Sequence, residues 1–411
     1  MRKINSKKGI IEMLKEKEIE IVHHREPRSP HTLYINLDER CNENCVFCVV
    51  KGENMGKFGS MNKEEAKRII KKFINVGGES IVFTGGEPTL REDLPEIIEY
   101  SEQFKALQGI WINTNGVRLS DKKYLNSLLK ADFRKILSFS VSLHSHKKTI
   151  SELLTRLPNS FEKTIKGIQN IIANNRKIII YQVITTKNYK DLYKFGTFLY
   201  INFPQIKVIN LAYPFPQGNA LENDWIFPKI SEVKPYLIKA LKFFEDKNYK
   251  ILIASCGQFP LCAIPGFEET VLSSLNLSEE TVLGVVGKKV YHDFEMAGEE
   301  FQQFYKNKNK LCEKCLLNKV CQGFWKKYID LFGFNGIQPI TKDNFKGNKI
   351  KLSLRNDKQV QEIVTKMIKE KVNLIIVSNY LNDYLNKLID LLRHNKIFVV
   401  IIYKNTILYP K

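Results

Sequence analysis

No stretch of the 411-residue chain approaches the ~20 consecutive apolar residues that span a bilayer. The opening MRKINSKKGIIEMLKEKEIE is charged and amphipathic and lacks the apolar run of a signal peptide. Both absences predict a cytoplasmic protein with no membrane partner. Internal repeats and low-complexity tracts are missing too. Acidic residues are in deficit, 44 Asp and Glu against 64 Lys and Arg, for a net charge of +20. Such a balance raises nucleic acid as a partner. The lysines, however, are scattered among Asp and Glu along almost every helical stretch of a chain rich in Lys, Ile and Asn. Coding bias explains that diffuse charge, and a peptide or small-molecule substrate fits it better than nucleic acid.

A hydrophobic content of 43% over this length is ample for a large core, and length alone predicts two or three folded units. From residue 32, short apolar runs alternate with amphipathic stretches as repeated βα units, the pattern of a parallel sheet or barrel. Six strands are predicted at Leu33–Leu37, Ser80–Phe83, Gly109–Asn113, Lys135–Leu143, Lys177–Thr185 and Ile206–Leu211. Helical patterns intervene near Lys63–Val76, Asp93–Phe104, Asp121–Ala131, Phe161–Asn174 and Leu192–Ile201, and another follows at Val233–Asp246. In the fourth strand Ser138, Ser140, Ser142 and His144 alternate with Leu137, Phe139, Val141 and Leu143. One face is apolar and the other small and polar, as expected of a strand with helices outside and a wet lumen inside.

The Pro- and Gly-punctuated segment Tyr213–Asn219 ends this pattern. The expected organisation is an N-terminal extension (1–31), a barrel (32–230), a cysteine-bearing domain (231–339) and a small βαβαβ unit (340–411). In the last unit, strands are expected at Lys349–Leu354, Leu374–Ser378 and Lys396–Tyr403, around helices at Val360–Lys371 and Tyr380–His394.

Eight cysteines in a reducing compartment argue for metal rather than disulfides. Cys41, Cys45 and Cys48 follow directly on the first strand, in the loop at its C-terminal end, where such barrels place active sites. Three thiolates so spaced can hold three irons of a [4Fe–4S] cluster and leave the fourth without a protein ligand. The structural alternative is a zinc knuckle, which needs four ligands; His31, before the strand, would be an awkward fourth.

The pattern Cys-x3-Cys-x2-Cys after a first strand resembles the signature of the radical S-adenosylmethionine (SAM) superfamily. Thr84-Gly85-Gly86-Glu87-Pro88, one βα unit later, resembles the Gly-Gly-Glu motif of that family. The resemblance implies a partial (β/α)6 barrel whose open iron chelates SAM, with reductive cleavage to a 5′-deoxyadenosyl radical that abstracts hydrogen from a substrate. It also implies an electron donor such as flavodoxin or ferredoxin. By the same resemblance, Gly85 and Gly86 permit close backbone approach and Glu87 receives the methionine amine. Phe47 packs on adenine, Ser142 contacts ribose and Arg156 pairs with the methionine carboxylate. Asn113, Asn115 and His144 are lumen residues without an assigned role.

The later cysteines form Cys256-x5-Cys262 and, after a long gap, Cys312-x2-Cys315-x5-Cys321 followed by Gly323. They resemble the auxiliary-cluster extensions called SPASM and twitch domains. None occurs after Cys321, so one auxiliary [4Fe–4S] cluster fits the count, with Cys262, Cys312, Cys315 and Cys321 the preferred ligands. Cys256 is the alternative to Cys262, a hydrogen donor to a radical, or a buried thiol. Zinc is the competing metal for this set.

Three functions are weighed. The leading one is modification of a ribosomally made peptide or protein. The second is small-molecule chemistry of the kind found in molybdenum-cofactor biosynthesis, although that family's paired terminal glycines are absent from the ending Leu408-Tyr409-Pro410-Lys411. The third is an RNA-modifying or nucleic-acid-binding protein. The C-terminal unit is too helix-alternating to be the winged-helix module that many peptide-modifying relatives use to grip a leader.

Overall fold

The computed structural model describes residues 32–51, 59–75, 77–253, 257–268, 270–271, 282–286, 289–292, 306–318 and 321–341, and beyond these chiefly the strands of a C-terminal sheet. The N-terminal extension, Cys256 and most of the two C-terminal helical stretches lie outside the described residues.

Strands and helices alternate as the apolar periodicity predicts: β1 (Thr32–Asp38), α1 (Lys63–Asn75), β2 (Ser80–Gly85), α2 (Leu94–Glu102), β3 (Gly109–Thr114), α3 (Lys122–Ala131) and β4 (Leu137–Ser142). Two helices, α4 (Lys148–Thr155) and α5 (Ser160–Ala173), then precede β5 (Ile178–Val183). The series continues with α6 (Leu192–Asn202), β6 (Val208–Ala212), a one-turn α7 (Asn219–Glu222), α8 (Ile230–Asp246) and β7 (Lys250–Ile253). Helix α4 and strand β7 are additions to the sequence-based expectation. Further on, β8 (Val282–Val286) and β9 (Lys289–His292) form a hairpin.

The principal sheet has the order β7-β6-β5-β4-β3-β2-β1-β8-β9. Strands β1 to β7 are parallel in chain order, and β8 adds in parallel to the free edge of β1. The sheet therefore extends past the six strands expected, at both edges. On its helix-covered face, Leu33, Ile35, Leu37, Ile81, Phe83, Ile110, Ile112, Phe139, Val141, Ile180, Ile209 and Leu211 are completely buried. Burial of a side chain of this size stabilises by about 1.5–3 kcal/mol, so this face holds the sheet together. The opposite face carries Tyr34, Asn36, Trp111, Asn113, Ser138, Ser140, Ser142, Tyr181 and Asn210. That alternation is the polar lumen read from the fourth strand.

The late cysteines belong to a smaller assembly: β10 (Lys306–Asn307) pairs antiparallel with β11 (Phe324–Trp325), with α9 (Lys310–Glu313) between them and α10 (Lys326–Phe332) after. The C-terminal sheet has the order β12 (Asn348–Lys351), β13 (Leu374–Ser378), β14 (Phe398–Tyr403) and β15 (Thr406–Leu408). Its first three strands are parallel, as expected of a βαβαβ unit, and β15 returns antiparallel. Among the described residues no helix is long and apolar enough to cross a membrane.

Candidate functional site

The three-cysteine loop leaves β1 at a register shift between Asn36 and Asp38, opposite Gly85. It is hydrogen-bonded to four separate parts of the barrel. The Gly86 and Glu87 N–H groups donate to the carbonyls of Asp38 (2.6 Å) and Arg40 (2.8 Å). The N–H groups of Asn44 and Val46 donate to the carbonyls of Thr155 (3.1 Å) and Leu154 (2.9 Å), which would otherwise be unpaired at the end of α4. Asn115 Nδ2 donates to Asn42 Oδ1 at 2.7 Å. Finally, Asn219 donates from its backbone to the Cys48 carbonyl and from Nδ2 to the Cys45 carbonyl, both at 2.9 Å.

The two glycines of the Gly-Gly-Glu turn are explained by this packing. A Cβ on Gly86 would lie 2.2 Å from the Arg40 carbonyl oxygen, and one on Gly85, whose φ is +127°, would lie 2.2 Å from Asn36 Oδ1 and 2.4 Å from the Asp38 carbonyl. Their close approach is to the chain that carries the cysteines.

Glu87 is 1% exposed. Its Oε1 accepts from Thr89 N–H (3.0 Å), Thr89 Oγ1 (2.6 Å) and Thr114 Oγ1 (2.7 Å), and its Oε2 from Asn115 N–H (2.7 Å). Burial raises its pKa, against the pull of these four donors. The carboxylate is thus built into the turn, and Oε2 retains capacity for a second donor.

Cys41, Cys45 and Cys48 are half-buried. Desolvation pushes the Cys41 thiol up to about 12 and raises Cys45 well above its ordinary value, helped by the Glu43 carboxyl, to which Cys45 Sγ donates at 3.2 Å. Thiols so placed become thiolates when a metal centre displaces their protons. The donor set therefore fits an iron–sulfur cluster, and it contains no fourth cysteine.

Phe47, from the same loop, meets the edge of His144, with ring centroids 4.5 Å apart. His144 is 2% exposed, its Nδ1 accepts from Val183 N–H at 3.2 Å, and burial drives its pKa down to about 3. It is a neutral imidazole supporting Phe47. Ser142 is half-buried on the lumen face of β4, in register with Tyr181. Arg156 caps the C-terminus of α4 with a left-handed φ of 54°, and its Nη2 donates to Asn223 Oδ1 at 2.9 Å. The structure thus brings Arg156 beside the cysteine loop through a helix whose short sequence carries little periodicity.

Cys262, Cys312, Cys315 and Cys321 line one pocket, walled otherwise chiefly by Leu311, Phe324, Ile337 and Pro339. Burial pushes the Cys262 thiol far up, and the other three cysteines push it further. Gly323 N–H donates to Cys321 Sγ at 3.4 Å. Among the described residues, no three His, Cys, Asp or Glu side chains gather closely enough to hold a single metal ion.

The sequence profile of the radical SAM superfamily matches residues 35–199. The chain is 30% identical over 247 residues to the GTP 3′,8-cyclase of Aquifex aeolicus, covering 56% of this chain and 73% of that protein. It is 27% identical over 269 residues to the probable GTP 3′,8-cyclase of Sulfolobus acidocaldarius, covering 65% and 83%. Among solved structures, Streptococcus suis SuiB bound to the precursor peptide SuiA shares the fold with a TM-score of 0.53 at 16% identity, over 81% of this chain and 78% of that one. The enzyme anSMEcpe with bound AdoMet does so with a TM-score of 0.53 at 18% identity, over 75% and 93%. Similarity that extends over nearly three quarters of a cyclase, with a family match whose range includes the cysteine loop and the turn that packs beneath it, establishes that this chain belongs to the radical SAM superfamily of SAM-cleaving iron–sulfur enzymes.

Proposed function

We propose that the chain uses SAM to oxidise a peptide or protein substrate, with Cys41, Cys45 and Cys48 as ligands of the SAM-binding cluster and the four late cysteines as ligands of a second [4Fe–4S] cluster. The observation that carries this reading is the four-thiol pocket. Four thiolates complete the ligand set of a [4Fe–4S] cluster. A cluster so held has no iron free for a substrate and serves as an electron acceptor instead. Zinc fits the pocket less well, because it requires four sulfurs about 2.3 Å from one centre.

Cys41, Cys45 and Cys48 would hold the cluster, which when bound and reduced would supply the electron for cleavage of SAM to methionine and a 5′-deoxyadenosyl radical. The protein's part is placement. Glu87 Oε2 takes the methionine ammonium through its remaining lone pair, and the Arg156 guanidinium takes the carboxylate. Phe47, stiffened by His144, packs on adenine, and Ser142 reaches the ribose. Together they hold the reacting atoms within contact distance and keep water away.

A peptide substrate is supported by the fold shared with SuiB and anSMEcpe, both solved with peptides bound. A small-molecule substrate is the second reading, favoured by the sequence similarity to GTP 3′,8-cyclases. The test is anaerobic reconstitution with iron, sulfide and a strong reductant, followed by SAM. Wild-type protein should release 5′-deoxyadenosine and methionine. Addition of short peptides encoded beside the gene should raise 5′-deoxyadenosine above the uncoupled rate, and GTP should not. Stimulation by GTP alone would assign the chain to small-molecule chemistry. One retained equivalent of zinc in place of a second iron–sulfur signal would remove the electron-acceptor role.

A further inference from the structure

The segment Tyr213–Asn219, which reads in the sequence only as the end of the barrel pattern, is pressed against the three-cysteine loop. Gly218, with φ +59°, lies so close that a Cβ would sit 2.4 Å from the Cys48 carbonyl oxygen and 2.5 Å from that of Lys51. Asn219, 4% exposed, follows it and spends every donor it has on the loop. Its backbone N–H reaches the Cys48 carbonyl, and its Nδ2 reaches both the Cys45 carbonyl and Asn44 Oδ1, each at 2.9 Å. Its own carbonyl accepts from Asn223 Nδ2 at 2.7 Å, and Asn223 Oδ1 in turn accepts from Arg156 Nη2 at 2.9 Å and Trp225 Nε1 at 3.2 Å. Earlier in the segment, Phe215 meets Trp325 of the late-cysteine assembly edge-on, with centroids 4.9 Å apart.

We infer that Asn219 is a positioning residue for the SAM-binding cluster. It fixes the loop carbonyls on either side of Phe47, and with them the directions of Cys45 and Cys48. Through Asn223 it sets the same frame for Arg156. The elements that hold both ends of SAM's methionine and adenosine portions are thereby tied to a single buried amide. Neither glycine nor a one-turn helix provides this alone, because the three contacts to the loop need the two Nδ2 hydrogens together with the backbone N–H. An apolar residue of the same size would leave the Cys45 carbonyl and Asn44 Oδ1 without the donor they now share, at the place where the cluster is held.

This inference rests on the reading of Cys41, Cys45 and Cys48 as cluster ligands, so Cys45→Ala is included as a separate arm. Reconstituted full-length Asn219→Leu and Asn219→Asp are compared with wild type by iron and sulfide content, by EPR-monitored redox titration and by the change that SAM induces in the spectrum of the reduced cluster. The late-cysteine cluster serves as an internal reporter of folding. The expected result is selective. In Asn219→Leu the signal that responds to SAM falls at least several-fold while the second signal is unchanged. In Asn219→Asp the first cluster assembles with a shifted midpoint potential, and at least tenfold more SAM is needed to alter its spectrum. Retention of both signals with an unchanged potential and SAM response would overturn the inference. Equal loss of both signals in both variants would also overturn it, by making Asn219 a residue of general folding. If Cys45→Ala keeps the SAM-responsive signal, the ligand reading itself fails and takes this inference with it.

Discussion

The two cysteine sites are built in opposite ways. The first is a loop with three thiols, tied by its backbone to the turn after β2, the end of α4 and Asn219, and by the Asn42 side chain to Asn115 after β3, so its shape is decided by the whole barrel. The second is a short turn and a two-residue ribbon, with four thiols around an apolar pocket, where the Gly323 N–H serves Cys321 Sγ, the backbone of Leu317 and Ile340 serves Cys315, and Lys234 Nζ donates to the Cys262 carbonyl at 3.0 Å. A site that must leave one iron open has only three ligands to define it, and the surrounding fold supplies the missing constraint. Four ligands would close a cluster by themselves, so the neighbours of the late site have only to supply donors to its sulfurs and carbonyls.

The largest effect expected from this contrast is on SAM cleavage. Cys45→Ala should abolish 5′-deoxyadenosine formation, whereas the Cys312→Ala/Cys315→Ala pair should lose about half the iron and sulfide yet retain a measurable fraction of the cleavage. Equal loss of activity in both variants would show that the two sites are not separable.

Gly86→Ala comes next. Its Cβ would lie 2.2 Å from the Arg40 carbonyl and 2.5 Å from that of Glu39, both backbone atoms that must shift. We expect most first-site iron to be lost, while the late cluster assembles normally by EPR. Full first-site occupancy in this variant would mean that the loop is less constrained by the barrel than its hydrogen bonds indicate.

Glu87→Gln preserves the size of the side chain, removes its charge and turns one of its two accepting oxygens into an amide donor. Loss of a charged partner for the SAM ammonium costs about 1.5–3 kcal/mol, so SAM affinity should fall at least tenfold with iron content retained. Equilibrium binding to the reconstituted protein measures it, and unchanged affinity would leave Glu87 with a purely structural task in the turn.

The smallest effect concerns pH and the region beside the late site. Glu268 is buried, its Oε2 accepts from Gly266 N–H at 2.9 Å, and burial pushes its pKa up to about 7. A carboxyl raised above its unfolded value near 4.5 binds its proton more tightly when folded. Its contribution is complete below that unfolded value and is lost as pH rises through about 7, by up to roughly 3 kcal/mol. Glu268→Gln should therefore flatten the decline in thermal stability between about pH 5 and 8. Parallel stability profiles for the two proteins would count against this assignment.

Much of the barrel is legible in the amino-acid sequence alone. All six predicted strands lie within two residues of the observed ends, because two-residue alternation and βα spacing are local properties. Helix α4 is not legible in this way, since KTISELLT is short and follows β4 after a brief loop, with no strand between it and α5. The cysteine spacing and the Gly-Gly-Glu turn are legible as a family resemblance; of the five late cysteines, Cys262, Cys312, Cys315 and Cys321 line one pocket and Cys256 lies outside the described residues.

What the sequence determined by itself, then, is the order of the elements and the family motifs, both of which are written over a few neighbouring positions. Tertiary structure decided which backbone the glycines approach, that Glu87 is already held by four donors, and that Asn219 reaches Cys45 across 174 residues of chain. Most of those contacts join residues far apart in sequence, and only assembly of the parallel sheet brings such residues within hydrogen-bonding distance.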